Sequence, residues 1–250
     1  MNDSRNLIYV VGLGPGTKDM TTPQAEQAIA EADVVIGYTV YLDLIRDRYP
    51  DKEMLSTPMK KEVDRCRMCF DEAAKGKTVC MICSGDPGVY GMASIMLELA
   101  EEYRAGGFDA GIVVVPGISA AMSGAAVLGA PLSHDFCVIS LSDLLTPWET
   151  IERRLRAAAE GDFCVCIYNP SSIKRHDYLM KACDILLEKA SPETACGYVR
   201  NIGREGQECR VMTLAELRNA EVDMFTTCFI GNSSTRIVNG RLVTPRGYRI

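Results

Sequence analysis

Residues 78–92 have the sequence TVCMICSGDPGVYGM, and the expected fold follows from the pattern of this stretch. The apolar run 78–83 is typical of a buried strand, and the Ala-, Leu- and Met-rich segment 90–104 predicts a helix. The turn between them contains Gly85, which permits close approach of the backbone to a ligand, and Pro87, which fixes its own φ angle. A strand, a glycine-rich turn and the open N–H groups of a helix start predict a ligand-binding floor at the edge of an α/β sheet.

Predicted strands and helices alternate on both sides of this stretch. The strands are expected at 7–11, 32–37, 78–83, 111–115, 136–141, 162–168, 195–200, 208–212 and 226–230. The helices are expected after Thr22-Pro23, at 38–49, 60–75 and 90–104, after Thr146-Pro147, and at 174–189. This alternation predicts mainly parallel sheets with crossover helices.

The small and glycine-rich segment 118–130, ISAAMSGAAVLGA, predicts a tightly packed helix at the junction of two halves. A chain of 250 residues is long enough for two domains of ordinary size. The sequence therefore predicts an α/β protein with two α/β domains, residues 1–117 and 118–250, and a ligand cleft between them.

The composition favours a soluble globular protein, because 47% of the residues are hydrophobic and no apolar run is long enough to span a bilayer. The chain begins without a basic segment and a cleavable apolar core, so we expect no secretory signal and a cytoplasmic location. The net charge of −6 disfavours nucleic-acid binding. An anionic substrate then requires a local basic patch against the overall charge.

The chain has 11 cysteines, and the pairs Cys66/Cys69 and Cys80/Cys83 have a spacing found in zinc sites. Cys80 and Cys83 fall in a predicted strand, where positions three apart face opposite sides. Structural zinc requires four convergent ligands, which this geometry does not offer. We therefore predict free thiols and no metal site.

The turn GLGPGT at 12–17 follows the first predicted strand, as the dinucleotide fingerprint GxGxxG does. Thr17 stands in place of the third glycine, and Pro15 lacks an N–H group for a pyrophosphate. The second predicted strand ends in Gly37-Tyr38, without an acidic residue for the ribose. The pattern disfavours a nicotinamide cofactor and leaves either a backbone surface for another ligand or a purely structural turn.

The next turns also have a ligand-binding and a structural interpretation. Asp86 belongs either to the ligand floor or to an ordinary helix cap, and Gly91 in the predicted helix suggests a bulky neighbour. Ser119 and Ala120, after Pro116-Gly117, either leave room for a flat group or allow close helix packing. The residues alone leave both interpretations open.

His134 lies in the run Ser133-His134-Asp135, whose residue types match those of a hydrolase triad. Triad members converge from distant positions, and no GxSxG elbow accompanies this run. His134 is thus a candidate acid or base, with a loop histidine of no catalytic role as the alternative.

Cationic side chains lie at or just after two of the predicted strand ends, and three more lie in the predicted helix 60–75. The first group is Lys174, Arg175, Arg200 and Arg204, and the second is Lys60, Lys61 and Arg65. Gathered at one edge they can bind carboxylates, whereas singly they are typical of a solvated charged face.

Several motifs together carry a family resemblance over essentially the whole chain. In order they are GLGPG, SGDPGVYGM, PGISAA, GAPLSHDFCVISLSDLLTPWETIERRL, DFCVCIYNPSS, GREGQE, IGNSSTR and TPRGY. The chain resembles the tetrapyrrole methylases of cobalamin biosynthesis, and the narrower motifs HDFCVISLSDLLTPW and YNPSS resemble the members that methylate C-17. Cys83, where a second serine is expected, and Ser133, where glycine is expected, are small departures from the pattern.

The resemblance implies two α/β domains, a homodimer, and S-adenosylmethionine bound in the cleft between the domains. Carried over by position, the implied cofactor residues are Pro15, Ser84, Gly85, Asp86, Val89, Ser119, Ala120, Tyr168, Asn169, Ile202 and Gly203. The implied reaction is methylation of precorrin-3B, or of cobalt-factor III, at C-17 with ring contraction to the precorrin-4 level and release of S-adenosylhomocysteine. Methylation at another ring position, a non-catalytic tetrapyrrole carrier and a nicotinamide-dependent oxidoreductase are the alternatives.

Ring contraction requires proton transfers, for which the candidates are Asp86, His134, Asp135, Asp143 and Tyr168. Of these, we assign Asp86, His134 and Asp143 as the catalytic residues. We expect Asp86 mainly to position the cofactor, and His134 or Asp143 to face the macrocycle. The polycarboxylate substrate calls for a basic patch, to which we assign Lys60, Lys61, Arg175 and Arg204. No covalent nucleophile is expected, because the methyl group of a sulfonium transfers to carbon by an in-line displacement that depends on alignment.

Overall fold

The computed structural model describes residues 6–58, 60–172 and 174–249. Residues 1–5, on which part of the expectation about a secretory signal rests, lie outside the described residues. The chain divides into two compact units between Ser119 and Ala120. The predicted boundary after Gly117 lies close to this division and stays a prediction. In the described part of the chain, no helix combines the length and apolar character needed to cross a membrane.

The first unit is built around a parallel sheet. Its elements are β1 (Leu7–Gly12), α1 (Pro23–Glu31), β2 (Val34–Tyr38), α2 (Thr39–Asp43), β3 (Glu53–Thr57), α3 (Glu62–Ala73), β4 (Val79–Cys83), α4 (Ala93–Ala105) and β5 (Gly111–Val115), with 3-10 turns at Lys18–Met20 and Arg46–Arg48. The strand order is β3-β2-β4-β1-β5, and every pairing is parallel. The carboxyl ends of these strands therefore share one edge of the sheet.

Local signals account for most of the elements of this unit. The helix expected after Thr22-Pro23 is confirmed: Pro23 opens α1, and Thr22 is its N-cap, whose side chain accepts a hydrogen bond from Ala25 N at 3.1 Å. The central strand β4 is buried along its whole length, as a continuous apolar run covered on both faces should be. Gly76, where α3 was expected to stop, has φ +83° just beyond the helix end.

Some boundaries differ from the prediction. The segment 38–49 forms only the short α2 and a 3-10 turn, and α3 begins at Glu62 because Lys60 has φ +66°. The prediction omits the outer strand β3, whose partly exposed sequence EMLST has no apolar run. The helix expected from residue 90 begins at Ala93, because Tyr90 has φ +53°.

The second unit contains a mixed sheet. Its elements are α5 (Ala120–Leu128), β6 (Gly129–Ala130), β7 (Phe136–Ser140), α6 (Trp148–Glu160), β8 (Cys164–Tyr168), α7 (Tyr178–Leu186), β9 (Ala195–Arg200), β10 (Glu208–Thr213), α8 (Leu214–Leu217), β11 (Thr226–Ile230), β12 (Arg236–Val238) and β13 (Arg241–Val243). The main sheet has the order β10-β9-β11-β8-β7, and a small sheet has the order β12-β13-β6.

The prediction of a mainly parallel sheet is wrong for this unit. β7 pairs with β8 in parallel, but β8 with β11, β11 with β9, and β9 with β10 pair antiparallel. The connection from β9 to β10, residues 201–207, is too short for the crossover that parallel neighbours require. The connection that contains α8 passes across β9 and joins β10 to β11, which run in the same direction. β7, β8 and β9 nevertheless run in the same direction, so their carboxyl ends share an edge.

Close helix packing against this sheet is confirmed for the segment 118–130. A Cβ added at Gly124 of α5 would lie 2.7 Å from Phe229 Cζ and 3.0 Å from Ile202 Cδ1. Glycine thus lets α5 lie directly on the sheet. The opposite face is covered by α6 and α7, whose buried residues include Leu155 and Leu179.

The cysteines are free thiols, as predicted. Cys80 and Cys83 lie in separate cores on opposite faces of β4, whereas Cys66 and Cys69 share the core of Cys83. Among the described residues, no group of His, Cys, Asp and Glu side chains is arranged to hold a metal ion. Burial raises the pKa of the Cys66 thiol to about 12 and that of Cys83 to about 11. These thiols are protonated near neutral pH and act as small apolar side chains.

Candidate functional site

Glycine-rich turns meet at the carboxyl edge of the first sheet, because they follow the adjacent strands β4, β1 and β5. They are SGDPG at 84–88, GLGPG at 12–16 and PG at 116–117. Gly14 N donates to Gly85 O at 3.1 Å, and Gly85 N donates to Gly14 O at 2.8 Å. This pair of hydrogen bonds joins two of the turns into one backbone surface.

The glycines at this edge are required by contacts between the turns themselves. A Cβ added at Gly12 would lie 2.5 Å from Gly85 O and 2.7 Å from Gly117 N, and one added at Gly117 would be closer still to Gly85 O. Gly85 itself has φ +67°, which favours glycine. The close approach inferred from the sequence is thus an approach of backbone to backbone, which fixes the shape of the edge.

Asp86 holds two of the turns together. Its Oδ1 accepts a hydrogen bond from Gly88 N at 2.8 Å, and its Oδ2 accepts one from Gly117 N at 3.0 Å. Asp86 is not the cap of α4, whose N-cap is Met92. Because both oxygens bind backbone N–H groups, the geometry favours a positioning role over proton transfer.

The folding of the turn after Asp86 explains why residue 91 is a glycine. A Cβ at Gly91 would lie 2.5 Å from Pro87 O and 2.7 Å from Pro87 Cα. Ala93 N donates to the same Pro87 O at 3.0 Å, so the turn folds back on itself before α4 begins. The bulky neighbour suggested by this glycine is the backbone of Pro87.

The remaining candidate cofactor residues of the first unit follow the ends of the same strands. Pro15 is buried beyond the bridge between the turns, and Ser84 and Val89 are half-buried on either side of Asp86. Ser119, after β5, is 9% exposed. The fold thus distributes these residues along one sheet edge, although they are distant in sequence.

Tyr168 and Asn169 lie at the carboxyl edge of the second sheet, where Tyr168 is the last residue of β8 and Asn169 follows it. Tyr168 accepts a hydrogen bond at its hydroxyl from Ala121 N at 2.8 Å, next to the candidate Ala120 at the start of α5. Asn169 has φ +52° and donates through Nδ2 to Ser140 Oγ at 2.9 Å. These bonds fix the ends of β7 and β8 relative to α5.

Ile202 and Gly203 lie in the turn after β9, at the same edge. Ile202 is 6% exposed and packs among Ala121 and Phe229 in the core beneath α5. Gly203 has φ +64°, and its N–H donates to Gln207 Oε1 at 2.8 Å. The geometry gives Ile202 a packing role and leaves the backbone of the turn for ligand contact.

Asp143 belongs to a clamp, by which we mean the cluster Ser142, Asp143, Ser172, Arg175 and Tyr178. Tyr178 Oη donates to Asp143 Oδ2 at 2.7 Å, and this bond raises the pKa of Tyr178. Arg175 Nη1 donates to Ser142 Oγ at 2.6 Å and lies 3.4 Å from Asp143 Oδ1, while its Nε donates to Ser172 Oγ at 3.0 Å.

The clamp changes the roles expected of its members. The Arg175 side chain is only 15% exposed and binds groups of its own chain, so it is poorly placed to bind a substrate carboxylate. Asp143 is likewise engaged on both oxygens. The clamp fixes the loop after β7, which carries Leu144 and Leu145 at 67% and 97% exposure.

The structure separates His134 from Asp143. His134 precedes β7 and Asp143 follows it, so they lie at opposite edges of the sheet, about 17 Å apart along the strand. The His134 side chain is 50% exposed, and its Nδ1 accepts a hydrogen bond from Asp135 N at 2.9 Å. His134 therefore fits the alternative of a loop histidine, and we remove it from the candidate site.

The candidate cations of the first unit follow β3, at the far side of the same carboxyl edge. Lys60 is exposed, and Lys61 forms an ion pair with Asp64 at 2.9 Å that raises the pKa of Lys61. In the second unit, Arg204 lies half-buried in the turn after β9, where its N–H donates to Asn201 O at 2.9 Å. Lys60 and Lys61 thus lie at the carboxyl edge of the first sheet and Arg204 at that of the second, and their role in substrate binding stays a prediction.

Arg65 is buried in the structure, which the sequence analysis did not predict. It is 5% exposed, in the first half of α3, where the sequence favours a solvated charge. Cys66, Cys69 and Phe70 are buried on the same helix. An arginine among apolar positions with helical spacing was the signal that could have identified a buried cation.

Comparisons with known proteins agree with this architecture. The family described as Tetrapyrrole (Corrin/Porphyrin) Methylases matches residues 7–218. A probable cobalt-factor III C(17)-methyltransferase of Salmonella typhimurium is 41% identical over 98% of this chain and 100% of the relative. A precorrin-3B C(17)-methyltransferase of a Sinorhizobium species is 40% identical, with 96% of each chain covered.

A solved structure agrees as well. The crystal structure of the methyltransferase CobJ has a TM-score of 0.88 and 38% identity to this chain, and covers 96% of this chain and 100% of its own. The predicted family and the predicted α/β class are both confirmed. The chain belongs to the tetrapyrrole methylase family.

Proposed function

We propose that this protein transfers a methyl group from S-adenosylmethionine to C-17 of a precorrin in cobalamin biosynthesis, with contraction of the ring. One observation carries the proposal: relatives that are about 40% identical over their full length are named for this position, one acting on cobalt-factor III and one on precorrin-3B. The cobalt ion, where present, belongs to the substrate.

The carboxyl edge of the first sheet disfavours a dinucleotide, which supports S-adenosylmethionine as the cofactor. Pro15 has no N–H group to offer a pyrophosphate, and the Asp86 carboxylate is occupied by backbone donors. Bound S-adenosylmethionine supplies an electrophilic methyl group on a sulfonium. We assign its binding in the first unit to Pro15, Ser84, Gly85 and Val89, with Asp86 holding their turns in place.

The second unit offers Tyr168 and Asn169 as the candidates with the best-defined geometry. Their hydrogen bonds to Ala121 and Ser140 fix the backbone at the end of β8. Much of the rate of an alkyl transfer can come from a rigid alignment of donor and acceptor. Residues of this chain therefore need to orient the reactants, and no thiol is needed as a nucleophile. Cys69 in the first unit and Cys228 in the second are buried, and burial raises the pKa of each thiol.

The decisive experiment uses S-adenosylmethionine labelled in the methyl group and two acceptors, metal-free precorrin-3B and cobalt-factor III. We expect label at C-17 of at least one ring-contracted product, identified by mass and NMR spectroscopy, together with stoichiometric S-adenosylhomocysteine. Label at another ring carbon would support the alternative methylase, and tetrapyrrole binding without label would support a carrier.

The homodimer and the cytoplasmic location stay predictions, to be tested by light scattering and cell fractionation.

A further inference from the structure

Arg65 is a buried cation at the carboxyl edge of the first sheet. Its side chain lies beside Tyr38, the last residue of β2, and Thr57, the last residue of β3. Only 5% of the residue is exposed. An arginine removed from water to this extent is normally matched by an acid.

The groups that hold Arg65 are all neutral. Nε donates to Thr57 Oγ1 at 2.9 Å, and Nη2 donates to Pro58 O at 3.2 Å and, at the limit of a hydrogen bond, to Thr57 O at 3.5 Å. The guanidinium carbon lies 5.8 Å from the centre of the Tyr38 ring. These contacts orient the guanidinium group but do not neutralise its charge.

The side-chain charges next to Arg65 balance one another, because Lys60 and Lys61 directly precede α3 and Glu62 and Asp64 lie in its first turn. Arg65 itself lies near the amino end of the helix, where the helix dipole is positive. Within the described residues, no carboxylate lies within ion-pair distance of Arg65. Asp64 pairs with Lys61 instead, and Glu62 of the same turn forms no ion pair with Arg65.

One nitrogen of Arg65 remains available. Nη1 makes no hydrogen bond to the described residues, yet it is not among their fully enclosed unpaired atoms, so it keeps access to solvent. The charge also acts on the end of β4: burial raises the pKa of the Cys83 thiol, and Arg65 opposes this rise. Cys83 directly precedes Ser84, the start of the turn assigned to the cofactor.

We propose that Arg65 is a carboxylate-binding residue whose Nη1 receives an acid group of a ligand held at this edge. Two ligands of the proposed reaction carry such a group: the acidic side chains of the tetrapyrrole and the methionyl end of S-adenosylmethionine. The inference therefore rests on the proposed function for the identity of the ligand. Nε and Nη2, fixed by Thr57 and Pro58, hold the guanidinium in place for this contact.

The test compares Arg65→Met and Arg65→Lys with the control Arg67→Met in the full-length protein. Arg67 lies on the same helix, but is exposed and pairs with Glu102. Calorimetry measures the Kd of S-adenosylmethionine and of precorrin-3B separately, and initial rates give KM and kcat. We expect Arg65→Met to raise the Kd of one of the two ligands about ten- to a hundredfold. The Kd of Arg65→Lys should lie between those of Arg65→Met and the wild type, and Arg67→Met should leave both Kd values unchanged.

The two Kd measurements distinguish the two possible sources of the carboxylate. Weaker binding of precorrin-3B alone identifies a substrate acid, and weaker binding of S-adenosylmethionine alone identifies the methionyl group. Unchanged Kd values for both ligands in a folded Arg65→Met protein would show that Arg65 only clips Thr57 and Pro58 in place, and would overturn the proposal.

Two further measurements keep the test decisive. If Arg65→Met does not fold, Arg65→Lys is compared with the wild type on precorrin-3B and on its methyl ester, and on S-adenosylmethionine and its methyl ester. If Arg65→Lys loses as much affinity for the methyl ester as for the acid, and does so with both ligands, the proposal is rejected. Because binding is measured without turnover, an inactive wild type with Arg65-dependent binding would refute the proposed function and leave this inference standing.

Discussion

Asp86 illustrates how a residue can define a site without reacting in it. Its carboxylate accepts one hydrogen bond from an N–H group of its own turn and one from an N–H group of the turn after β5. The sequence suggested either a ligand contact or a helix cap, since the spacing of Asp86 before a helix is compatible with both. The true partner, Gly117, lies 31 positions away, and a pairing of this length is not encoded in any local pattern.

We expect Asp86→Asn to lower the free energy of unfolding by about 1 kcal/mol and to weaken S-adenosylmethionine binding. The amide nitrogen cannot accept a hydrogen bond, so one backbone N–H group loses its partner. Urea unfolding and calorimetry measure the two effects, with the exposed Asp51→Asn as the control. Normal cofactor affinity combined with lost turnover would contradict the positioning role and indicate proton transfer.

Gly117 provides a second test at the same edge. Gly117→Ala places a methyl group against Gly85 O, and we expect a loss of about 3 kcal/mol in the free energy of unfolding together with weaker cofactor binding. Gly111→Ala, at the start of the preceding strand β5, is the matched control, because its Cβ would lie at an ordinary 3.4 Å from Leu7 Cδ1. Equal stability of the two variants would show that the turns are free to separate.

Among the elements, the strands with continuous apolar runs were predicted well and those defined by pairing were not. β5, β9 and β11 have the predicted bounds, and β1, β4 and β8 differ by one or two residues. β3 was omitted because an outer strand is half exposed and lacks the apolar run of its neighbours. The antiparallel order of the second sheet was missed because the alternation of strands and helices was extended to the whole chain, although no helix is predicted between the runs 195–200 and 208–212, which pair antiparallel.

The clamp around the loop after β7 is the element-level feature that the sequence concealed. Asp143 and Arg175 were assigned to catalysis and substrate binding as separate charges, whereas the fold pairs them with each other and with Tyr178. Charged residues 32 positions apart cannot be recognised as partners from spacing alone. Their mutual bonds give the loop a fixed conformation at the carboxyl edge.

We expect Tyr178→Phe to destabilise the protein by about 1 kcal/mol at neutral pH through loss of the bond to Asp143. The bond raises the pKa of Tyr178, so its contribution is fully present below the usual tyrosine pKa near 10 and is lost as the pH rises through the higher folded value. Urea unfolding of both proteins from pH 7 upward should show the difference shrinking above about pH 10. A difference independent of pH would argue against the hydrogen bond as its source.

Across the whole molecule, the cysteines behave as core residues in spite of their number. Burial raises the pKa of Cys137 to about 11 and that of Cys183 to about 12, and Cys209 alone among the cysteines is exposed. We expect a thiol reagent at pH 8 to modify Cys209 rapidly and the others only on unfolding, because the thiolate is the reacting form. Mass analysis of the native wild type and of Cys209→Ser measures this, and rapid labelling of Cys66 or Cys69 would contradict their burial.

The charge distribution of the whole molecule gives the last prediction. A protein of net charge −6 repels a polycarboxylate unless local cations reverse the potential where it binds. Lys60 and Lys61 precede α3 beside the buried Arg65, and their exposed position makes their attraction for the substrate sensitive to salt.

We expect the KM for precorrin-3B to rise with ionic strength in the wild type, and to be higher and less sensitive to salt in the Lys60→Ala/Lys61→Ala variant. The control Lys189→Ala removes an exposed charge after α7 and should keep the wild-type salt dependence. A KM that stays flat with ionic strength in all three proteins would mean that the substrate acids are bound elsewhere, by groups too buried for salt to screen.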